Sequence, residues 1–173
     1  GAFVPSRSFP FGKINGVATH LPFEVHLMVS DPISFIRGIT HPGLRKVIYH
    51  FEAVTDHPAV MGSIREKHVA AGLAVKPGAN LEKIRAAAAE VDTLLFLTVD
   101  PGFYASPFRP EVLDTVAGAR KMFPRKEIAV DGGVSLANVK RFADLGVDYV
   151  CVGSRIFLDG DPGENFRLFV AEV

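Results

Sequence analysis

The sequence predicts an α/β protein in which a parallel sheet is covered by helices, and three observations support this. Six short, mostly apolar segments alternate with helical patterns, at about 25 residues per unit. Apolar runs of this kind are typical of parallel strands that are buried on both faces. No G-x-G-x-x-G fingerprint opens any unit, which argues against a doubly wound dinucleotide-binding sheet. The six units therefore favour part of a (β/α) barrel.

The first elements follow a loop-like N-terminal region. Residues 1–20 are predicted as loop because proline and glycine are frequent there, with a short helical turn near Gly12–Thr19. The first strand is predicted at Phe23–Val29, where apolar side chains alternate with Glu24, His26 and Met28. Ser30 or Asp31 can cap the next helix, which has Pro32 in its first turn and runs to about Ile39.

The later elements repeat this alternation. Helices are favoured by the alanine run after Leu81 and by the cap candidate Ser135, and Asp100-Pro101-Gly102 breaks a strand. The remaining strands are predicted at Lys46–Phe51, Gly72–Lys76, Thr93–Val99, Glu127–Asp131 and Tyr149–Val152. The remaining helices are predicted at about Pro58–Val69, Leu81–Glu90, Pro110–Met122, Leu136–Leu145 and Pro162–Ala171, with a helical turn at Arg155–Leu158.

Composition limits the classes of function. The 173 residues fit one domain, 1–173, that is large enough for a real core. Lys plus Arg and Asp plus Glu are each 19, so there is no basic field for nucleic acid or a membrane surface, and any anion must be bound locally. The single cysteine, Cys151, excludes a disulfide framework. With no apolar run near 20 residues and no signal-peptide pattern, we expect a soluble, cytoplasmic protein.

The ends of the predicted strands share polar side chains and glycines. In a parallel α/β protein these ends face the ligand, and in a barrel they surround one mouth. The glycine pairs of the last two units resemble a phosphate-binding cradle, which suits a small phosphorylated metabolite. For Asp131, Gly132 and Gly133 taken alone, the simpler alternative is a strand followed by an ordinary turn. The residues are His26, Met28, His50, Glu52, Lys76, Asp100, Gly102, Asp131, Gly132, Gly133, Gly153 and Ser154.

Six motifs in order resemble those of the ribulose-phosphate 3-epimerase family. They cover nearly the whole chain: Gly1-Ala-Phe-Val-Pro5, Val25-His-Leu-Met-Val29, His50-Phe-Glu-Ala53, Thr98-Val-Asp-Pro-Gly-Phe103, Val130-Asp-Gly-Gly-Val134 and Val152-Gly-Ser-Arg-Ile-Phe157. The resemblance implies a (β/α)8 TIM barrel of the ribulose-phosphate-binding type, here without its first two strands. It also implies a metal-dependent isomerase of the pentose phosphate pathway that inverts the carbon next to the ketone of a phosphorylated ketopentose.

The resemblance also implies roles for individual residues. Asp131 would be one of two acid–base carboxylates and a metal ligand, and His26 a second ligand of one divalent ion, Zn, Fe, Mn or Co. His50 would lie near the metal without binding it, and Met28 would line the pocket. The residues that would contact substrate or its phosphate are His26, Met28, His50, Gly102, Phe103, Tyr104, Ala105, Gly132, Gly133, Gly153 and Ser154. A hydrogen-bonded core histidine and simple packing remain the alternatives for His26 and Met28.

The first departure from the family is that two strands are missing before Gly1. They should carry the other catalytic aspartate and a further metal-binding histidine. We therefore expect a chain that is a fragment or remnant and is inactive alone. A six-stranded remainder also leaves two unpaired sheet edges, and a homo-oligomer is expected.

A second departure is in the loop after Asp100. Tyr104, Ala105 and Ser106 replace a glycine-rich sequence whose backbone approaches phosphate in the family. Asp100 with Pro107 and Phe108 resembles the related allulose-6-phosphate 3-epimerases, so a phosphorylated ketohexose stays open as substrate. Leu97 stands where the family has a pocket methionine, which is a change that conserves volume.

Two other classes of function stay open from the sequence. One is a non-catalytic sugar-phosphate binder that kept the cradle and lost the acid–base pair. The other is a different phosphate-binding barrel enzyme, such as a decarboxylase or aldolase relative, which a catalytic lysine would favour. Lys76 is the only strand-end lysine, and a lysine that extends to solvent is the simpler interpretation of it.

Overall fold

A computed structural model describes residues 3–5, 10–102, 106–158 and 160–173. Its six strands form one parallel sheet in chain order, each pairing with the next. The strands are β1 Phe23–Leu27, β2 Leu44–His50, β3 Ala70–Val75, β4 Thr93–Leu97, β5 Glu127–Asp131 and β6 Tyr149–Cys151. The helices are α1 Phe11–Asn15, α2 Pro32–Gly38, α3 His57–Arg65, α4 Leu81–Glu90, α5 Val112–Met122, α6 Val139–Asp144, α7 Ser154–Phe157 and α8 Pro162–Ala171, with a 3-10 turn at Phe51–Ala53.

The sheet is curved into an incomplete barrel. Side chains of β1 reach those of β5 and β6 across the concave face, because Tyr149 donates to Glu24 at 3.0 Å and His26 lies 3.3 Å from Asp131. Strand order that follows chain order, with a helix between successive strands, is the arrangement of (β/α) barrels. The predicted incomplete barrel is confirmed.

Apolar side chains form two separate layers. Those that point outward from the strands pack against the helices, as Val47, Leu94 and Ile128 do, and this is the larger part of the core. A smaller inner layer on the concave face consists of Ile48, Ala74, Leu95 and Ala129. Successive residues of a strand therefore contribute in turn to the outer and the inner layer, because their side chains point to opposite faces of the sheet.

Several helices begin at residues whose side chains cap them, and one of these, Asp31, is a cap that the sequence indicates. The carboxylate of Asp31 accepts a hydrogen bond from Ser34 N at 3.2 Å, and Asn80 accepts from Glu82 N at 2.9 Å. Ser135 is not the cap of α6, contrary to expectation. The helix begins at Val139 after Asn138, whose side chain accepts from Ser135 N at 2.8 Å, because residues 136–138 form a turn first.

Element ends differ from expectation by a few residues. β1 ends at Leu27 and β4 at Leu97, two residues early in each case, because the chain leaves the sheet to build the loops above it. β2 and β3 each begin two residues early, at Leu44 and Ala70. Helix α3 ends at Arg65 instead of Val69, since residues 66–68 form a turn in which His68 has a φ of 54°.

No helix in the described part of the chain has both the length and the apolar character needed to cross a membrane. The longest of them, α5, has 11 residues, and about 20 apolar residues are required for a span.

Candidate active site

Three predicted site residues meet on the concave face near the carboxyl ends of their strands. His26 lies on β1, His50 is the last residue of β2, and Asp131 is the last residue of β5. Side chains an even number of positions apart on a strand point to the same face of the sheet. His26, His50 and Asp131 are each in step with the inward-facing residues of their own strands, so all three point to the concave face. The alternation along the strands therefore brings together residues that are far apart in sequence.

His26 has a partner at each ring nitrogen. Its Nδ1 lies 3.3 Å from Asp131 Oδ2, and its Nε2 lies 2.9 Å from Nε2 of His50. The two imidazole rings are stacked, with centroids 4.9 Å apart. One of the two Nε2 atoms must carry the hydrogen that the other accepts. The contacts fix the orientation of the His26 ring beside the carboxylate.

His50 is fully buried beneath this pair. Burial, together with the nearby His26, holds the pKa of His50 below its ordinary value, so the ring is neutral at pH 7. Its Nδ1 has no hydrogen-bond partner among the described residues, since Glu52 Oε2 is 3.6 Å away and beyond hydrogen-bond length. The ring of Phe3 lies 4.8 Å from that of His50. His50 therefore supports the site from below, at a place without solvent.

The donor chemistry of His26 and Asp131 fits part of a metal site. An imidazole nitrogen and a carboxylate oxygen are common ligands of Zn, Fe, Mn and Co. Their separation of 3.3 Å is what two metal–ligand bonds of about 2.0–2.1 Å make at a tetrahedral angle. The described residues contain no group of three or more His, Cys, Asp or Glu arranged to hold a metal ion. Among the described residues, the pair could therefore supply two ligands of such a site.

A cavity of about 1000 Å³ opens beside Asp131 at the carboxyl end of the sheet. This volume is at the upper end of small-molecule sites. The predicted catalytic residue Asp131 lines it, whereas His26 and His50 are not among the lining residues. The predicted substrate-binding residues that line it are Met28, Gly102, Gly132, Gly133, Gly153 and Ser154. Phe103, Tyr104 and Ala105 lie outside the described residues.

Gly132 and Gly133 form a turn in which a residue with a side chain would be strained. Their φ angles are 101° and 62°, and a Cβ on Gly132 would lie 2.5 Å from Val99. A Cβ on Gly133 would lie 3.1 Å from the Phe108 backbone. The buried Thr98 donates to the carbonyl oxygen of Gly132 and holds the turn in place. Backbone of this kind can approach an anion closely.

The sequence reasoning missed several polar or reactive side chains of the cavity, among them Asn138, Arg141 and Cys151. Asn138 holds the glycine turn by donating to Gly133 O at 3.0 Å. Protein atoms around the Cys151 thiol desolvate it and, with the charge of Asp131, raise its pKa to about 12, although the residue is exposed on the open side of the sheet. Alternation along β6 could have predicted Cys151, which pairs with Asp131 in the sheet register.

Lys76 is directed toward an aromatic ring. Its Nζ lies 4.1 Å from the centroid of Phe3, and the residue is not among those that line the cavity. A cation–π contact of this kind stabilises an ammonium group where it lies. The arrangement gives no support to a catalytic lysine.

Comparisons with known proteins agree with the motifs. Residues 1–157 match the model of the ribulose-phosphate 3 epimerase family. A protein of Mycobacterium bovis named ribulose-phosphate 3-epimerase is 33% identical over 94% of this chain and 73% of its own length. One from Oryza sativa subsp. japonica, named as a cytoplasmic isoform, is 30% identical over 95% of this chain and 75% of its own length.

Similar solved structures have the same architecture. An orotidine 5'-monophosphate decarboxylase from Sulfolobus solfataricus matches with a TM-score of 0.68, covering 92% of this chain and 78% of its own at 15% identity. A mutant tryptophan synthase alpha-subunit from Pyrococcus furiosus matches with a TM-score of 0.66, covering 94% and 70% at 16% identity. At these identities the likeness concerns the fold alone. The family match, the relatives and the six-unit barrel together show that this chain belongs to the ribulose-phosphate 3-epimerase family.

Proposed function

We propose that the protein acts as a ribulose-phosphate 3-epimerase, which interconverts D-ribulose 5-phosphate and D-xylulose 5-phosphate. The observation that carries the proposal is the contact of His26 with Asp131, 3.3 Å apart beside a cavity with a glycine turn. The names of the relatives support the reaction. The substrate phosphate would lie at the glycine turn, and its ketone end would lie near Asp131.

The chemistry requires a proton to leave C3 and another to return on the opposite face. Asp131 is 30% exposed and borders the cavity, so its carboxylate can reach a bound substrate and take or return one of these protons. His26 and the neutral His50 beneath it keep the carboxylate oriented. The product of proton removal is an ene-diolate, and Met28 would shield it from water. A divalent ion held by His26 and Asp131 would supply electrostatic stabilisation of the ketone and hydroxyl oxygens.

Inversion needs a second acid–base group, and among the described residues the cavity offers no second unpaired carboxylate. Its other carboxylate is Asp100 at the rim, which pairs with Arg109 at 2.7 Å. The family resemblance places the second aspartate in a strand that this sequence lacks. We therefore propose that the chain alone turns over little substrate, and that a version extended by the two missing strands is the active form.

The test is exchange of the C3 hydrogen of ribulose 5-phosphate with solvent deuterium, followed by NMR with and without added Zn, Fe, Mn or Co. The extended protein should incorporate deuterium and form xylulose 5-phosphate. Asp131→Asn should lower the rate by about 10²–10⁴-fold, and Asp100→Asn should retain it. Ligand binding with no exchange in the extended protein would refute the epimerase and favour a sugar-phosphate binder.

A phosphorylated ketohexose is the second candidate substrate. The cavity of about 1000 Å³ leaves room for one more carbon, and Pro107 and Phe108 line it beside Asp100. The same exchange assay with allulose 6-phosphate decides between them, because the true substrate should show the higher kcat/KM.

Two further properties stay proposals. A homo-oligomer would cover apolar side chains that α7 and α8 expose, such as Phe157, Phe166 and Val170. Cytoplasmic location is supported by the name of the Oryza sativa relative. Size-exclusion chromatography with light scattering tests the first, and fractionation of cells tests the second.

A further inference from the structure

A second polar cluster lies on the concave face below the candidate site. We call it the lower cluster, and its members are Glu24, Lys46, Thr93, Glu127 and Tyr149. Ile48 and Ala129 of the inner apolar layer lie between it and His50 on β2 and Asp131 on β5, whereas Glu24 and His26 are successive inward residues of β1. Three strands contribute to both levels, with Glu24 and His26 on β1, Lys46 and His50 on β2, and Glu127 and Asp131 on β5.

Lys46 is the centre of the lower cluster. Its Nζ lies 3.0 Å from Glu24 Oε1, 2.5 Å from Glu127 Oε2 and 3.4 Å from the hydroxyl of Tyr149. Its side chain is only 9% exposed. Since β3 and β4 lie between β2 and β5 in the sheet, the pair with Glu127 spans the concave face and does not join neighbouring strands.

Lys46 also balances two carboxylates that would otherwise repel. Burial lowers the pKa of its ammonium, but hydrogen bonds to Glu127 and Glu24 and their charges outweigh this effect and raise it. Without the ammonium, the like-charged carboxylates of Glu24 on β1 and Glu127 on β5, whose side chains are 40% and 42% exposed, would face each other across the concave face. The charge of Lys46 therefore draws these two strands together.

The curvature of the sheet depends on such side-chain contacts. Among the described strands, no backbone pairing joins β1 to β6, and the sheet runs from one to the other in sequence order. Among the described residues, polar groups that connect the two ends across the concave face are those of the lower cluster and, above it, the His26–Asp131 contact. The two levels are two to four residues apart along stiff strands, or about 7–13 Å. A change in the distance between β1 and β5 at the lower cluster must therefore also change the distance between these strands at His26 and Asp131.

We infer that Lys46 is a positioning residue, which holds β1 and β5 at the separation that brings His26 to Asp131. It touches no substrate and acts through the two strands. The catalytic role of His26 and Asp131 in this inference rests on the proposed function. The contact between the two side chains does not, because it is a feature of the fold.

The experiment measures the His26 ring directly, by the side-chain ¹⁵N resonances of histidine in Lys46→Met. Asp131→Asn identifies the signal that reports the contact. Lys46→Met should shift that signal in the same direction as Asp131→Asn. In the catalytically competent extended protein it should lower kcat by about 10–100-fold with a change in KM below about 3-fold, as expected for a misplaced catalytic group.

The matched control is Lys67→Met. Lys67 donates from Nζ to the carbonyl oxygens of Arg37 and Ile39 at 3.0 and 2.9 Å, on the helix side of the sheet. Its replacement should lower the free energy of unfolding while leaving the His26 signal and kcat unchanged. Equal effects of the two lysine variants on the His26 signal would overturn the inference, because any loss of stability would then produce them.

Tyr149→Phe is the milder second variant and decides the question if Lys46→Met does not fold. It removes one hydroxyl that contacts Lys46 and Glu24 and keeps the ring. A smaller shift in the same direction supports positioning, and an unmoved His26 signal refutes it. A shifted signal in protein whose wild-type form shows no exchange at C3 would support positioning and refute the epimerase.

Discussion

His26 illustrates how one side chain depends on strands distant in sequence. Its two ring nitrogens contact Asp131, which is 105 positions away, and His50, which is 24 positions away. The sequence motif around it indicates a functional histidine, and the period of two along β1 places it on the polar face. Neither feature fixes a distance of 3.3 Å to a carboxylate, which depends on the curvature of the sheet.

Gly132 is the residue for which the structure makes the sharpest stability prediction. Gly132→Ala should destabilise the protein by about 2–5 kcal/mol, because the methyl group would lie 2.5 Å from Val99 at a φ of 101°. Chemical denaturation measures the free energy of unfolding.

The control for this prediction is Gly78→Ala. Gly78 also has a positive φ, 80°, but nothing lies within 4 Å of its added Cβ. Gly78→Ala should lower the free energy of unfolding by the backbone strain alone, about 1–2 kcal/mol. If the two variants lost the same free energy of unfolding, the Val99 side chain would have moved away from the new methyl group at no cost.

At the scale of elements, two aspartates tie neighbouring strands together in the same way. Asp92, just before β4, accepts from Ala71 N at 2.8 Å, and Asp148, before β6, accepts from Ile128 N at 2.7 Å. Burial acts to raise the pKa of the Asp148 carboxyl, but the hydrogen bond from Ile128 N and the pairing with Arg120 hold it below the ordinary value. These repeated contacts fix the register at the amino ends of the strands.

Helix α3 should make the protein sensitive to mild acid through His57. Its ring stacks on Phe51 with centroids 4.7 Å apart, and its Nδ1 lies 3.3 Å from the hydroxyl of the buried Tyr49. Burial lowers the pKa of His57, so as the pH falls below about 6.5 the unfolded chain binds a proton more readily than the folded one. The free energy of unfolding should therefore decrease from pH 7 to pH 5.

His57→Gln tests this, because glutamine can keep a hydrogen bond and cannot titrate. The variant should show a smaller loss of stability between pH 7 and pH 5, measured by urea unfolding at each pH. His20→Gln, at an exposed position before β1, should leave the loss as large as in the wild type. An unchanged slope in His57→Gln would mean that the ring is protonated equally in both states.

At the scale of the whole molecule, burial is highest in the middle of the sheet and falls toward β6. All five residues of β4 are buried, whereas no residue of β6 is, and α8 has one buried residue, Phe169. Among the described strands, β1 and β6 each pair on one side only. Stability should be distributed in the same way, because local opening follows the amount of packing.

Hydrogen–deuterium exchange with mass spectrometry tests this distribution. Amide protons of β3 and β4 should be protected most, and those of β6, α7 and α8 least. Uniform protection in the present chain would contradict the gradient.

The sequence alone determined the order and type of the elements, since periodicity, capping residues and turn residues are local properties. It also indicated His26, Asp131 and the glycine turn, because a motif of several adjacent residues is readable without coordinates. It did not reveal the lower cluster, although Glu24, Lys46 and Glu127 share the face of the site residues by alternation. Only the tertiary structure decided which of them meet, since contacts across the concave face depend on how far the sheet curves, and no single strand encodes that curvature.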